Sequence, residues 1–295
     1  MGRTVEDVRP TLVILTALPV EYEAVRERLT GCEPLVHPSG TRVERGRLAG
    51  TEWHVALAQI GEGNQTAAIV TERLSTWLSP QALFFVGVAG GLKEEIRIGD
   101  VVVGTRVYAY HGGKQTPEGF YARPRAWDAS HRLEQTARYA LRGPRWRDRV
   151  HFKPIAAGEV VLNDADSDLA DQIRRHYNDA VAIEMESAGV AHAAHLVGAL
   201  DTLTIRGISD KADGAKHLAD ASGSQPLAAA TAAQAAMAII AELEPTVRRN
   251  APDQREPSAP SVRYGGDHID FRGGTFYGPV TGKVVRGPEV PGADR

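Results

Sequence analysis

The sequence predicts an α/β fold: a single domain with a central twisted mixed β-sheet flanked by helices, followed by a linker and a Gly-rich C-terminal tail. Three observations carry this expectation. Continuous apolar runs of strand length recur along the chain, the pattern of strands buried on both faces. Amphipathic or alanine-rich helical segments alternate with those runs over residues 11–244. Beyond residue 244 the composition turns polar and proline-bearing, then glycine-rich.

Residues 1–10 are a polar lead-in, and Thr11 to Leu18 is the first buried strand. Pro19 follows at the first turn of a helix expected over Val20 to Leu29, because proline is preorganised for that position. Thr41 to Ala49 and Glu52 to Ile60 are two strand-like runs about a Gly-Thr turn. Gly61-Glu62-Gly63-Asn64 then opens a helix from about Gln65 to Leu78; such a turn can offer backbone N–H groups to an anion, although many bind nothing. Ala82 to Val88 is the next strand, and Ala89-Gly90-Gly91-Leu92 is expected to break it. A strand resumes over Ile98 to Tyr108, and Ala109 to Pro124 is a loop of lid character carrying His111. The next expected elements are a helix over Trp127 to Leu141, a strand over Val150 to Ala157 and a helix over Asp166 to Tyr177. Ala180 to Ile183 ends a strand-like run at Glu184-Met185-Glu186, where a helix begins. Asp201 to Arg206 is the last strand, ending in Gly207-Ile208-Ser209-Asp210, and Ala228 to Leu243 the last helix. Residues 245–262 are expected to be a flexible linker and 263–295 a tail too glycine-rich to bury a core.

Composition narrows the function classes. A hydrophobic fraction of 42%, a charged fraction of 24% and a net charge of -3 suit a globular enzyme and supply no basic field for nucleic acid. The one cysteine, Cys32, cannot close an intrachain disulfide or build a thiolate metal site, and a reducing, cytoplasmic compartment is the simplest expectation. No apolar stretch has the length of a membrane span. Neither a metal nor a cofactor is expected.

The chemistry is expected where strands end, because ligands of open α/β sheets bind at that edge. Glu21, Glu184, Glu186 and Asp210 all lie at such ends, with Ala89 and Gly90 beside them. Each acid also has a plain reading, since carboxylates in a first helical turn complement the helix dipole. On a helix Glu184 and Glu186 would point apart, but at a strand-to-helix junction both can reach one pocket. Acids without clustered His or Cys suit proton transfer at a sugar bond.

Five ordered motifs make a resemblance specific: T-A-L-P-V-E at Thr16 to Glu21, G-V-A-G-G-L at Gly87 to Leu92, I-G-D-V-V-V at Ile98 to Val103, A-I-E-M-E-S-A at Ala182 to Ala188 and I-R-G-I-S-D at Ile205 to Asp210. The chain resembles the purine nucleoside phosphorylase/uridine phosphorylase superfamily, and within it the nucleosidases that cleave methylthioadenosine and S-adenosylhomocysteine. The resemblance implies a nucleoside phosphorylase-like fold, a homodimer and a small-molecule purine nucleoside or nucleotide as substrate. It implies that Glu21 activates the attacking water and that Asp210, supported by Ser209, protonates the purine. Glu186 is implied to hold the ribose hydroxyls, Met185 to pack on the sugar, and Glu184 to lie near the water. Ala89 and Gly90 are implied to line the base site, with Val161 near the place of the base-stacking phenylalanine.

Two departures bear on the reaction. Phosphorolytic relatives carry an arginine where this chain has Phe85, and their phosphate-binding arginine loop is replaced by Leu18-Pro19-Val20-Glu21. Without those cations a phosphate dianion is poorly compensated, so hydrolysis is expected. Val161, and Val88 in place of a serine, leave the natural substrate open. The tail, Arg263 to Gly287, resembles short bacterial amyloid signalling motifs, which pair like with like in a cross-β assembly. That implies a second reading, an ATP-directed nucleosidase effector of an immune or cell-death system triggered by tail assembly. A third is a catalytically silent nucleoside-binding module.

Overall fold

A computed structural model describes residues 10–198, 200–214, 219, 221–246 and 278. The chain divides into two units, Met1–Thr246 and Val247–Arg295, and the elements below all belong to the first. The expected tail motif lies outside the described residues.

The core is a ten-stranded mixed sheet. Its strands are β1 (Thr11–Thr16), β2 (Thr30–Val36), β3 (Arg42–Arg47), β4 (His54–Gln59), β5 (Ala82–Gly91), β6 (Val101–Ala109), β9 (Arg125–Asp128), β10 (Val150–Ala157), β11 (Ala182–Glu184) and β12 (Thr202–Asp210). The spatial order is β11-β10-β6-β12-β5-β1-β4-β3-β2, with β9 on β6. β4, β1, β5 and β12 run parallel, so their carboxyl ends share one edge. They read as apolar runs because helices cover both faces. Leu12, Val13, Ile14 and Leu15 have no exposed surface, and neither do Leu83, Phe84 and Phe85.

The helices are α1 (Pro19–Arg26), α2 (Asn64–Leu78), α3 (His131–Ala140), α4 (Asp168–His176), α5 (Ser187–Leu196) and α6 (Ser224–Glu242). Proline opens α1, as expected from the sequence. The Ser167 side chain caps α4 by accepting from the Ala170 N–H at 3.2 Å. Ala228, Ala232, Ala235 and Ala236 of α6 are fully buried; small side chains let this helix lie close on the sheet.

Several boundaries depart from the sequence reading. β5 does not break at Ala89; it runs on through Gly91 and pairs antiparallel with β11, Gly91 against Ala182 and Gly90 against Ile183. Because β11 also pairs with β10, this part of the sheet closes on itself. The 109–124 segment contains a hairpin, β7 (Gly113–Thr116) with β8 (Gly119–Ala122). Trp127 lies in β9, not in a helix, and α3 starts only at His131. β2 was not foreseen, because T-G-C-E-P-L-V lacks the apolar density of a buried strand; it is an exposed edge strand. Thr246, at the start of the expected linker, is tied to the domain by its N–H donating to Gln81 Oε1 at 2.8 Å.

Candidate active site

The closure of β5 on β11 brings chemically active residues together at the carboxyl edge. A crevice of ≈ 150 Å³ there is lined by Glu21, Ala89, Gly90, Val161, Glu184, Met185, Glu186, Ser209 and Asp210, every site residue expected from the sequence. Leu18, Glu62, Val88, Leu162 and Gln225 complete its wall among others.

Glu21 sits in the first turn of α1 and is buried. Its Oε2 accepts from the N–H groups of Ala17 and Leu18 at 2.8 and 2.9 Å, and its Oε1 from the N–H of Val88 at 2.7 Å. The carboxylate therefore ties the β1–α1 turn to β5. Burial pushes its pKa up, against the opposing pull of Arg206 and the backbone donors.

Asp210 ends β12. Its Oδ1 accepts from the Ala212 N–H at 2.9 Å and its Oδ2 from the Ser209 hydroxyl at 2.9 Å. Ala212 has a φ of +51°, a conformation unfavourable for a residue with a Cβ, held where its N–H meets this carboxylate. On the neighbouring strand, a Cβ at Gly90 would sit 3.0 Å from Asp210 Oδ1, so a side chain there would crowd the acid.

The Glu184-Met185-Glu186 step separates its two carboxylates by task. Glu184 turns toward α5: it accepts from the Ser187 N–H at 3.0 Å, the Ser187 hydroxyl at 2.6 Å and the Glu186 N–H at 3.2 Å. It thus closes the amino end of α5, where a negative charge is favoured. Among the described residues, Glu186 accepts from the Gly63 N–H, at 3.1 Å. The glycine turn read as an anion cradle serves one of the protein's own carboxylates. Burial and the neighbouring Glu184 charge push the Glu186 pKa up to about 7, with Arg206 pulling the other way.

Arg206 was missed. The signal for it lies in I-R-G-I-S-D itself, because an arginine inside an otherwise apolar strand is costly unless paired. It has no exposed surface, donates to Glu184 Oε2 and lies 3.8 Å from Glu186 Oε2. Its guanidinium stacks 3.9 Å from the Phe85 ring centroid. Gly87 makes room for it: a Cβ there would overlap the guanidinium and stand 2.5 Å from Glu21 Oε1. One buried cation thus sits among Glu21, Glu184 and Glu186. Among the described residues no group of His, Cys, Asp or Glu is placed to hold a metal, and no helix is long and apolar enough to cross a membrane.

The fold and the crevice define an α/β protein with an acid-lined small-molecule site at the carboxyl edge of its sheet. Residues 11–241 match the family model described as the phosphorylase superfamily, and the chain belongs to that family. It is 29% identical over 204 residues to a 5′-methylthioadenosine/S-adenosylhomocysteine nucleosidase of Desulfotalea psychrophila, covering 67% of this chain and 83% of that one. The nucleosidase of this kind from Streptococcus pneumoniae, solved with a transition-state inhibitor, superposes with a TM-score of 0.70 at 26% identity, covering 79% of this chain and 100% of that one. The fold is also that of a futalosine hydrolase from Helicobacter pylori, with a TM-score of 0.68 at 20% identity, covering 79% of this chain and 98% of that one.

Proposed function

We propose that the protein hydrolyses the N-glycosidic bond of an adenine nucleoside of the methylthioadenosine/S-adenosylhomocysteine class, releasing adenine and the free sugar. The observation that carries this reading is the convergence of Glu21, Glu186 and Asp210 on one crevice, each held by donors that leave a different task open. Asp210 donates a proton to the purine as the bond breaks, so the bonding electron pair leaves on a neutral base. The sugar left behind is cationic, and the carboxylates around it stabilise that charge. Glu21, made more basic by burial, takes a proton from the water that attacks the anomeric carbon. Glu186 accepts from the sugar hydroxyls, Met185 packs on the ring, and Ala89, Gly90 and Val161 flank the base. Glu184 acts as a positioning residue, since its oxygens already serve α5 and Arg206.

Hydrolysis rather than phosphorolysis is supported by Arg206. It is buried on Phe85 and paired with glutamates, so it adds no free cation for a phosphate. The test is adenine release from methylthioadenosine and S-adenosylhomocysteine, with and without phosphate. Turnover that requires phosphate and yields ribose-1-phosphate derivatives would overturn the hydrolase assignment; no adenine from any adenine nucleoside would overturn the enzyme reading.

A pH dependence follows from Glu186. A carboxylate must be ionised to accept from both sugar hydroxyls, and this one ionises near 7. The kcat/KM for methylthioadenosine should therefore rise with pH through an inflection close to 7. Glu186→Gln should remove that inflection and lower kcat/KM; an unchanged profile would detach Glu186 from the sugar.

The homodimer implied by the resemblance is part of the same proposal. α2 and α5 pack together and leave Ile69 60% and Leu196 70% exposed, apolar side chains suited to a partner surface. Sedimentation equilibrium should give twice the chain mass, and Leu196→Glu should halve it.

A further inference from the structure

We infer that the outer end of the crevice selects nucleosides whose 5′ substituent is positively charged, a protonated amine above all, and that Glu62 makes the selection. The inference rests on the nucleosidase reading and adds the chemistry of the group that the sugar carries.

The sheet order sets the direction of the crevice. Asp210 on β12 and the Val160–Leu162 wall after β10 form one end, which the acid assigns to the base. β5 follows, then β1 with Leu18 and β4 with Glu62, so these last two residues form the opposite end. The Gly63 N–H bonds Glu186, which puts the Glu62 loop alongside the sugar hydroxyls. Glu62 therefore stands next to what the sugar carries beyond its ring.

The charge on the wall has one sign. Its ionisable described residues are Glu21, Glu62, Glu184, Glu186 and Asp210, with no Lys, Arg or His among them. The cation nearest these acids, Arg206, has no exposed surface and is already paired behind them. A 5′-phosphate would enter a field of carboxylates with no compensating cation among the described residues of the wall. A 5′-thioether is tolerated but leaves Glu62 unused. An ammonium group meets the Glu62 carboxylate, which is exposed on the crevice wall and makes no hydrogen bond among the described residues. Because Glu62 is exposed, the gain is that of a screened ion pair, worth about three- to fivefold in affinity.

The full-length protein would be assayed on methylthioadenosine, 5′-amino-5′-deoxyadenosine and adenosine 5′-monophosphate, near neutral pH where the amine is protonated. The expected order of kcat/KM is amine, thioether, monophosphate. Glu62→Gln should lower the amine-to-thioether ratio by about three- to fivefold, and high salt should compress it in the unaltered protein. The ratio is internal to each preparation, so partial misfolding of the variant cancels. Equilibrium binding of the same three compounds repeats the comparison without turnover. A ratio that Glu62→Gln leaves unmoved in binding, or a monophosphate bound as tightly as the amine, overturns the inference. Binding with the expected ratio but without adenine release overturns the hydrolase reading and leaves the selection by Glu62 standing.

Discussion

Asp210→Asn should slow adenine release from methylthioadenosine by roughly 10²–10⁴-fold, the usual contribution of a positioned general acid. The substitution is chosen because it changes chemistry and little else. Asn keeps an oxygen to accept from the Ala212 N–H, and its amide can donate to the Ser209 hydroxyl where the carboxylate oxygen accepted from it. The strained Ala212 turn and the end of β12 should both persist, so the melting temperature should move by only a few degrees, on the order of 1 kcal/mol. What is lost is the proton that makes the purine a neutral leaving group. The loss should appear in kcat more than in KM, because the bond between acid and base strengthens only as the glycosidic bond breaks. Single-turnover kinetics would separate this from slow product release. Turnover within threefold of the unaltered enzyme would remove Asp210 from the acid role, and unfolding of the variant would make its contacts with Ser209 and Ala212 its main task.

The fold was legible where physics is local. Thr11 to Leu18 and Ala82 to Val88 are apolar without alternation because they are covered on both faces, and such strands announce themselves. Edge strands do not: β2 is largely exposed and contains Gly31 and Pro34. Gly90 and Gly91 illustrate a deeper limit. Adjacent glycines signal a turn when only neighbours are considered, yet here they continue β5 because β11, about ninety residues on, supplies the pairing partner. Helical periodicity in the residues after Trp127 predicts a helix there, while pairing with Val107 of β6 fixes Trp127 in β9. The acids were legible because strand ends and helix starts are marked in sequence. Their division of labour was not, since Glu184 and Glu186 differ only in which donors the fold brings to them.

Arg206 is the residue through which stability and the site are most tightly joined, and Arg206→Met should cost about 3–5 kcal/mol. Met is unbranched and can fill much of the space over Phe85, so the cavity contribution is small. The cost is electrostatic. Removing the guanidinium leaves Glu184 and Glu186 buried, two residues apart, without the cation that pairs with both. Glu21, already raised by burial, loses the largest influence holding its pKa down. A carboxylate whose folded pKa exceeds its unfolded value favours folding below the unfolded pKa, and that contribution is lost as pH rises through the folded one. For Glu186 the interval runs from 4.5 to about 7 with Arg206 present. Without Arg206 its upper limit moves higher, and Glu21 joins it. The destabilisation by Arg206→Met should therefore be smallest near pH 5 and grow toward pH 8. Urea unfolding followed by tryptophan fluorescence at several pH values would measure it. Adding Glu184→Gln should recover part of the loss at pH 8, because the amide removes one of the stranded charges while retaining an acceptor for the Ser187 N–H. A loss below about 1 kcal/mol, or one independent of pH, would show that the cluster has other means of relieving its charge.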